Sequence, residues 1–445
     1  MNPIIKKTFQ QMGVGMICFC LTSPVFAQEL SYDRYAPVYK EAPADPAFWK
    51  RALTHFLVYP FELIKWPADK VIVYVEKYHI DEKAVWIYDQ IKNHGITPKV
   101  NIINVSKPSF GSKFDFVRMT RQRLHYPDLT VEGEIHYGSD VYFEVGSKVG
   151  LDRIAGTGAH AYGIVNYQDR YNEHFYGIGP TSSRGDGSVY GMEITTLKSE
   201  VGYEWTPALT TDAIFSYRNI NISGGHDGGR GQIGEVPSFS EERVPGIHGD
   251  SLITLGLNVV HDTRNRKDTT TKGGIQRFSF SFNKGLGSSE ARYFKYETEL
   301  SHFFRLGSDR RVLAFHFYGE HNDKVKNRQV PFYEMAKLGG YGAYPRLSHT
   351  LRGYDTNRFT DDSAVLFNIE YRYTIWEYRN FKLDSVFFFD EGQVFREFSK
   401  FRFSDFKESY GLGFRISLRN KTYFSMEVAH GDEGTNFYVK SRAPF

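Results

Sequence analysis

The residue pattern best suited to specific chemistry is Leu351-Arg352-Gly353-Tyr354, an arginine set between a leucine and a Gly-Tyr pair. A guanidinium stays charged and presents five N–H donors in a rigid fork. Its chemistry is recognition of carboxylate or phosphate rather than proton transfer. Inside a dry interior it must be paired, because an unpaired buried charge is costly. Gly353 permits close backbone approach, and Tyr354 supplies an apolar plate for packing. Asp390 is the expected acidic partner of Arg352, with Glu427 as a second. The alternative is an arginine simply exposed in a loop.

Catalytic patterns are missing. Fifteen histidines invite a metal reading, but none stands in a His-Glu-x-x-His or similar paired spacing. No Gly-x-Ser-x-Gly elbow occurs. Gly229-Arg230-Gly231-Gln232-Ile233-Gly234 matches a dinucleotide fingerprint by letters but lacks a strand-helix-strand context, so it reads as a flexible loop. Acids such as Glu370 read as partners for arginines, not as acid–base catalysts. The sequence therefore predicts a protein that is not an enzyme and carries no cofactor or metal.

The elements that must hold Arg352 show period-2 alternation. Over 363–375, Val365, Phe367, Ile369, Tyr371, Tyr373 and Ile375 share one face, against Asn368, Glu370, Arg372 and Thr374. Over 409–419, Tyr410, Leu412, Phe414, Ile416 and Leu418 oppose small and basic residues. Phe278, Phe280 and Phe282 form a third row, and Ile253, Leu255, Leu257 and Val259 a fourth. Successive strand residues point to opposite faces, so each row marks one side of a sheet. A soluble sandwich alternates too. Its strands average five or six residues, whereas these are often longer than ten, and their polar faces carry Arg, Glu and Asn in mid-strand.

Composition agrees with a membrane barrel. Aromatic residues make up 16% of the chain, with 37 Phe, 30 Tyr and 41 Gly. Mean hydropathy is nevertheless −0.44. Beyond the leader no segment has 18 consecutive apolar residues, which excludes a helical membrane protein. A barrel turns only every second residue to lipid and keeps its average hydropathy low. Short connections at 206–208, 306–311, 376–381 and 419–421 alternate with long ones at 223–250 and 322–362, as in outer-membrane barrels with short periplasmic turns. The connection at 262–274 is a longer exception on the short side. About 15 strands read between residue 130 and Phe445. An even number is required if both ends are periplasmic, and 113–123 is the candidate for the missing first strand.

Residues 1–27 read as a cleaved secretory signal, with Lys6 and Lys7, an apolar run over 12–22, and Val25-Phe26-Ala27 before the cut. Both cysteines, Cys18 and Cys20, fall in this segment, so no disulfide or thiolate site is expected after processing. The net charge of +3 drops close to zero without the two lysines, and no nucleic-acid partner is expected. Residues 28–112 read as an N-terminal periplasmic segment, mainly helical, with helices over 46–65 and 81–93 and an ambiguous stretch at 71–75. Residues 113–445 are the expected barrel. The predicted fold is thus an all-β membrane protein: an antiparallel transmembrane β-barrel of about 16 strands with a short helical N-terminal segment.

Leu351-Arg352-Gly353-Tyr354 resembles the hydrophobic-Arg-Gly-aromatic motif of the outer-membrane assembly barrels, the BamA/TamA and bacterial surface antigen superfamily. In that family the motif lies on the sixth extracellular loop, which folds back into the lumen ahead of five strands. Five alternating segments follow here, at about 363–375, 382–395, 408–419, 421–430 and 435–445. Phe389-Asp390-Glu391-Gly392 resembles the family's Phe-Asp-x-Gly motif in the second of these. Leu338-Gly339-Gly340 looks like the family too, and Phe175-Tyr176-Gly177-Ile178-Gly179 and Asp262-Thr263-Arg264 are weaker matches. The terminal Phe445 is similar to the assembly signal that such barrels present to the barrel assembly machinery. Residues 28–112 do not show the βααββ order of a POTRA module, so the chain resembles members lacking POTRA repeats.

The resemblance implies residence in the outer membrane of a Gram-negative cell, among its lipids. Arg352 would anchor the loop, with Phe389, Asp390, Gly392 and Glu427 as wall partners. It also implies a role in inserting, assembling or translocating client outer-membrane proteins or lipids through a weak seam between first and last strands. A plugged transport channel or a structural surface protein is the alternative.

Overall fold

The computed structural model describes residues 80–102, 108–119, 128–138, 142–225, 243–326, 328–341, 350–378, 381–418, 421–440 and 444–445. The leader, the expected helix over 46–65, the stretch 71–75 and the glycine-rich segment 229–234 lie outside these residues. Helix α1 (Ile80–Asn93) opens the described chain, close to the expected 81–93. It stops before Gly95, whose φ of +79° is one that L side chains rarely adopt.

Eighteen strands follow. The first half comprises β1 (Ile96–Ile102), β2 (Pro108–Asp115), β3 (Leu129–Gly138), β4 (Tyr142–Leu151), β5 (Ala159–Phe175), β6 (Ser188–Thr206), β7 (Leu209–Gly224), β8 (Gly249–Asp262) and β9 (Gly273–Gly285). The second comprises β10 (Arg292–Arg305), β11 (Arg311–Lys324), β12 (Ala336–Leu338), β13 (Phe359–Asp361), β14 (Ser363–Tyr378), β15 (Phe381–Phe395), β16 (Lys407–Leu418), β17 (Lys421–Gly431) and β18 (Gly434–Lys440). A helical turn, α2 (Phe116–Met119), sits between β2 and β3. All strands except β12 and β13 form one 16-stranded antiparallel meander in chain order, and β12 pairs with β13 inside the loop joining β11 to β14. The ends of the ladder, β1 and β18, approach each other.

The distribution of side chains is inverted relative to a soluble protein. Leu255, Leu257, Phe278, Phe280, Phe367, Leu412, Val428 and Phe437 are exposed on the outer face. His136, Glu144, Asn283, His316, Asn368, Glu370, Asp390, Arg415 and Glu427 are buried. The apolar residues recur at every second position of successive strands, so they form a continuous band that water would not tolerate. No helix among the described residues is long and apolar enough to cross a membrane, which says nothing against strands that do. The wall is uneven in height. Strands β5, β6 and β7 have 17, 19 and 16 residues, whereas β1, β2 and β18 have 7, 8 and 7.

Two expectations are corrected here. The sheet begins at Ile96, not near 113, and 113–123 is not one strand: Lys113 to Asp115 ends β2, and Phe116–Met119 is helical. Fourteen of the sixteen sheet strands lie from Leu129 onward. The first two strands are short, at 7 and 8 residues, and β1 contains Pro98, a residue sheets admit at edges. The last segment is described as β18 up to Lys440; residues 441–443 lie outside the described residues, and Pro444 and Phe445 are not in a strand. The long connection between β8 and β9 has a structural reason. Thr269, Thr270 and Thr271 are buried, and Asn265 accepts hydrogen bonds from the Thr271 and Lys272 amides, so this turn folds over the foot of the lumen.

The band predicts opposite outcomes for neighbouring residues of β8. Leu257→Arg should cost about 2–4 kcal/mol in folding into lipid bilayers, the value for a cation near the midplane. Asn258→Lys, on the lumen face, should cost much less. Urea titration in liposomes compares them; equal losses would contradict this assignment of faces.

Candidate functional site

The connection between β11 and β14 is the longest in the described chain, and it enters the lumen. Its first half packs Val330, Phe332, Tyr333 and Met335 against Phe175, Tyr190, Leu252 and Tyr293 of the wall and its loops. Glu334 in this half is held by the wall: Arg218 donates to its two oxygens at 2.5 and 3.2 Å, and the Tyr293 hydroxyl donates at 3.0 Å. Lys295 donates to the Glu334 carbonyl at 2.9 Å. The second half packs Leu338, Leu351, Tyr354 and Phe359 against Tyr318, Leu366 and Val394.

Arg352 is fully buried at the centre. Its Nε and Nη2 donate to the two oxygens of Asp390 at 2.7 and 2.5 Å, a bidentate pair. Its backbone N–H donates to the same carboxylate at 3.1 Å. Nη1 donates to Glu370 at 2.7 Å and to Glu427 at 3.3 Å. One side chain thus joins three strands, β15, β14 and β17. Arg415 bridges Glu370 and Glu427 at 2.8 Å each, and Arg372 donates to Glu370 at 2.8 Å. Three guanidinium groups therefore face three carboxylates. Asn368 donates to Asp390 at 2.8 Å and to the Thr350 carbonyl at 2.9 Å, and Ser409 donates to Asp390 at 3.3 Å. The Tyr341 hydroxyl donates to Glu427, and Tyr438 of β18 donates to the Arg352 carbonyl at 2.7 Å. The buried carboxylates thus have the multiple donors that make such ions tolerable.

Neighbouring motif residues explain themselves by space. A Cβ on Gly353 would stand 2.5 Å from the Ser409 Cβ and 2.7 Å from the Gly431 nitrogen, so the loop backbone lies directly on β16 and β17. A Cβ on Gly392 would meet Leu338 and Leu366 at 3.0 Å. Tyr354 is buried with its ring edge-on to Phe359 at 5.2 Å. Phe389 is not a lumen partner. It shares the outer face of β15 with Phe387, and alternation gives the inner place to Phe388, whose ring lies 3.4 Å from the Arg352 guanidinium carbon. Phe445 is not on a strand. Its ring stacks on His316 at 4.8 Å, and Arg372 donates to its backbone oxygen at 3.0 Å, at lumen positions far from β18 in the strand order.

Sequence reading missed Arg415, Arg372, Asn368, Tyr341 and Phe388 as parts of the site. The signal available was parity: Glu370, Arg372, Asn368 and Arg415 occupy polar positions in the alternating rows, and acids with bases on one inner face imply pairing. The weak motif at Asp262 is local, since Arg264 forks onto Asp262 at 2.9 and 2.8 Å. At the outer ends of the strands, Arg358 reaches Glu433 at 2.7 Å and Arg184 reaches Asp355 at 2.8 Å, so the β5–β6 loop and the β17–β18 turn hold the same loop from above.

A meander of sixteen strands with an apolar exterior and a loop folded into a charged interior defines an outer-membrane β-barrel. The family profile described as the Omp85 superfamily domain matches residues 136–419, well over half of the chain, and the protein belongs to that superfamily. Among solved structures, BamA from Haemophilus ducreyi lacking POTRA domains 1–3 is similar with a TM-score of 0.55 and 15% identity, covering 78% of this chain and 70% of that one. CdiB from Escherichia coli matches with a TM-score of 0.48 and 13% identity over 78% of this chain and 62% of that chain. No curated protein sequence matches.

Removing the guanidinium leaves Asp390 without its cation in a dry site, while Glu370 and Glu427 keep Arg415. Arg352→Ala is expected to lower stability by about 3–5 kcal/mol locally, the cost of breaking a buried pair. Arg352→Lys should recover part of this, since an ammonium keeps the charge and loses the fork. The readout is the temperature at which the compact band disappears on unheated-versus-heated gels. An unchanged transition in Arg352→Ala would remove the anchor from the account.

Proposed function

We propose that this chain assists the insertion, assembly or translocation of outer-membrane proteins or lipids through a weak seam between β1 and β18. The observation that supports this reading is the nature of those two strands. Among the described residues they are the shortest of the sixteen, with 7 residues each. They end the ladder, and Pro98 removes a donor from β1. An edge with unpaired N–H and C=O groups can pair with an incoming strand. A short wall also matches only a thinner bilayer, which lowers the barrier for nearby insertion.

The buried arginine contributes by making one side of the seam rigid. It ties β14, β15 and β17 to the loop, while Tyr438 brings in β18. An edge strand held at fixed height is a better template than a fraying one. In this reading the ligands are client outer-membrane proteins and the surrounding outer-membrane lipids. Phe445 serves as the signal to the barrel assembly machinery during the chain's own insertion, before its ring is enclosed.

The test uses cysteine pairs, one residue in β1 and one in β18, in a chain whose own cysteines are confined to positions 18 and 20. The protein is reconstituted into liposomes, and the folding rate of a small client barrel is followed with ion conductance. Acceleration should vanish on oxidation and return on reduction. Acceleration that persists in the cross-linked form excludes the seam. Steady conductance without acceleration favours a plugged channel.

A further inference from the structure

Apart from the lumen and the seam, the loop joining β15 to β16 stands out. It covers residues 396–406 and opens on the same side as the long loop that carries Arg352, because β14 and β15 are joined by the short turn at the other end. Phe398 and Phe403 in it are 67% and 79% exposed, the two most exposed large apolar side chains among the described residues. A loop in water has no reason to present two phenylalanines outward.

The loop folds down the outer wall. The Phe406 ring lies 6.3 Å from Phe367 on the lipid face of β14, and the Phe398 ring lies 4.8 Å from His321 on the outer face of β11. Its rings brace one another: Phe401 contacts Phe395 at 5.5 Å, Phe403 at 5.1 Å and Phe406 at 5.7 Å. Two single helical turns fix the backbone, with the Lys400 amide donating to the Glu397 carbonyl at 2.8 Å and the Asp405 amide to the Arg402 carbonyl at 3.1 Å. The exposed phenylalanines are therefore displayed by a packed base continuous with the lipid-facing band.

Basic residues alternate with these rings. Arg396, Lys400 and Arg402 are exposed. Arg396 lies only at the outer limit of a pairing distance, 3.9 Å, from Asp362. Of the acids in the loop, Glu397 accepts from Ser399 and Asp405 from Ser404. Phenylalanine beside arginine and lysine at the rim of an apolar band is the pattern of a segment seated at a membrane interface, rings among acyl chains and cations at headgroup level. Guanidinium groups match phosphate in shape and charge.

We propose that the 396–406 loop binds a phosphate-bearing lipid of the outer leaflet, with Phe398 and Phe403 inserted beside its acyl chains and Arg396, Lys400 and Arg402 on its phosphates. This does not rest on the seam, so it stands or falls separately from the insertion reading.

The experiment uses the full chain in phosphatidylcholine nanodiscs containing a minor share of bis-phosphorylated lipid A, or the same lipid without its phosphates. Native mass spectrometry counts retained lipid A, and a Phe403→Trp variant is tested with brominated acyl chains. Retention is expected to favour the phosphorylated form, and to fall about fivefold for each basic residue changed to Gln. The fluorescence of the indole introduced by Phe403→Trp should be quenched by the brominated chains. An indole that stays unquenched overturns the proposal, as does equal retention of the two lipids. Displacement by millimolar inorganic phosphate alone would also overturn it, because the site would then be an anion site and not a lipid site. Arg402→Gln alone, checked for the heat-shifted compact band, keeps the test valid if the triple variant folds poorly.

Discussion

A permanent cation buried in a narrow β-barrel constrains everything around it. Arg352 has no contact with water, and a guanidinium does not escape the cost by losing its proton. The surroundings must therefore bring carboxylates to it from different strands. Asp390, Glu370 and Glu427 can meet only if β15, β14 and β17 hold their register, so the same contact that neutralises the arginine also fixes the alignment of the wall. Arg415 and Arg372 then balance the acids, and Tyr438 extends the network to the last strand.

The loop is fastened at two charged points of opposite sense. Glu334 meets Arg218 and Lys295 on β7 and β10, whereas Arg352 meets acids on β14, β15 and β17. Reversal of the pairing prevents the loop from entering in a shifted position, because a slip would set like charges together. Between these points Leu338, Leu351 and Tyr354 supply the apolar contact that excludes water. The interior is consequently rigid on the β14–β17 side, and the strands by the seam are short in the described residues. That contrast between a pinned wall and a weak edge is the physical basis of the insertion reading.

The outer surface shows a parallel division. Most of the exterior is a plain apolar band, which needs only generic lipid. The 396–406 loop departs from it by combining exposed phenylalanines with cations, a combination that generic hydrocarbon does not require. The strands themselves are specified by alternation, and the 396–406 loop is where exposed cations are added to the apolar exterior.

The alternating rows of 253–259, 278–282, 363–375 and 409–419 were enough to determine strands, because the side-chain period of a strand is local and has only two faces, and their length with Arg, Glu and Asn in mid-strand pointed to an apolar exterior and a polar lumen. The order of motifs around Arg352 likewise identified Asp390 and Glu427 as its partners, since a charge that must be buried must be answered. Tertiary structure alone decided the rest. Phe388 rather than Phe389 lies under the guanidinium, a matter of one residue of parity that a motif cannot resolve. Strands β1 and β2 join the sheet through their pairing with each other and with β3, which runs of 7 and 8 residues do not announce on their own. Arg415 joins the site, and Phe445 turns into the lumen, through contacts between residues 45 and 73 positions apart in the chain. Such meetings depend on how sixteen strands curve around a common interior, and no local pattern records that curvature.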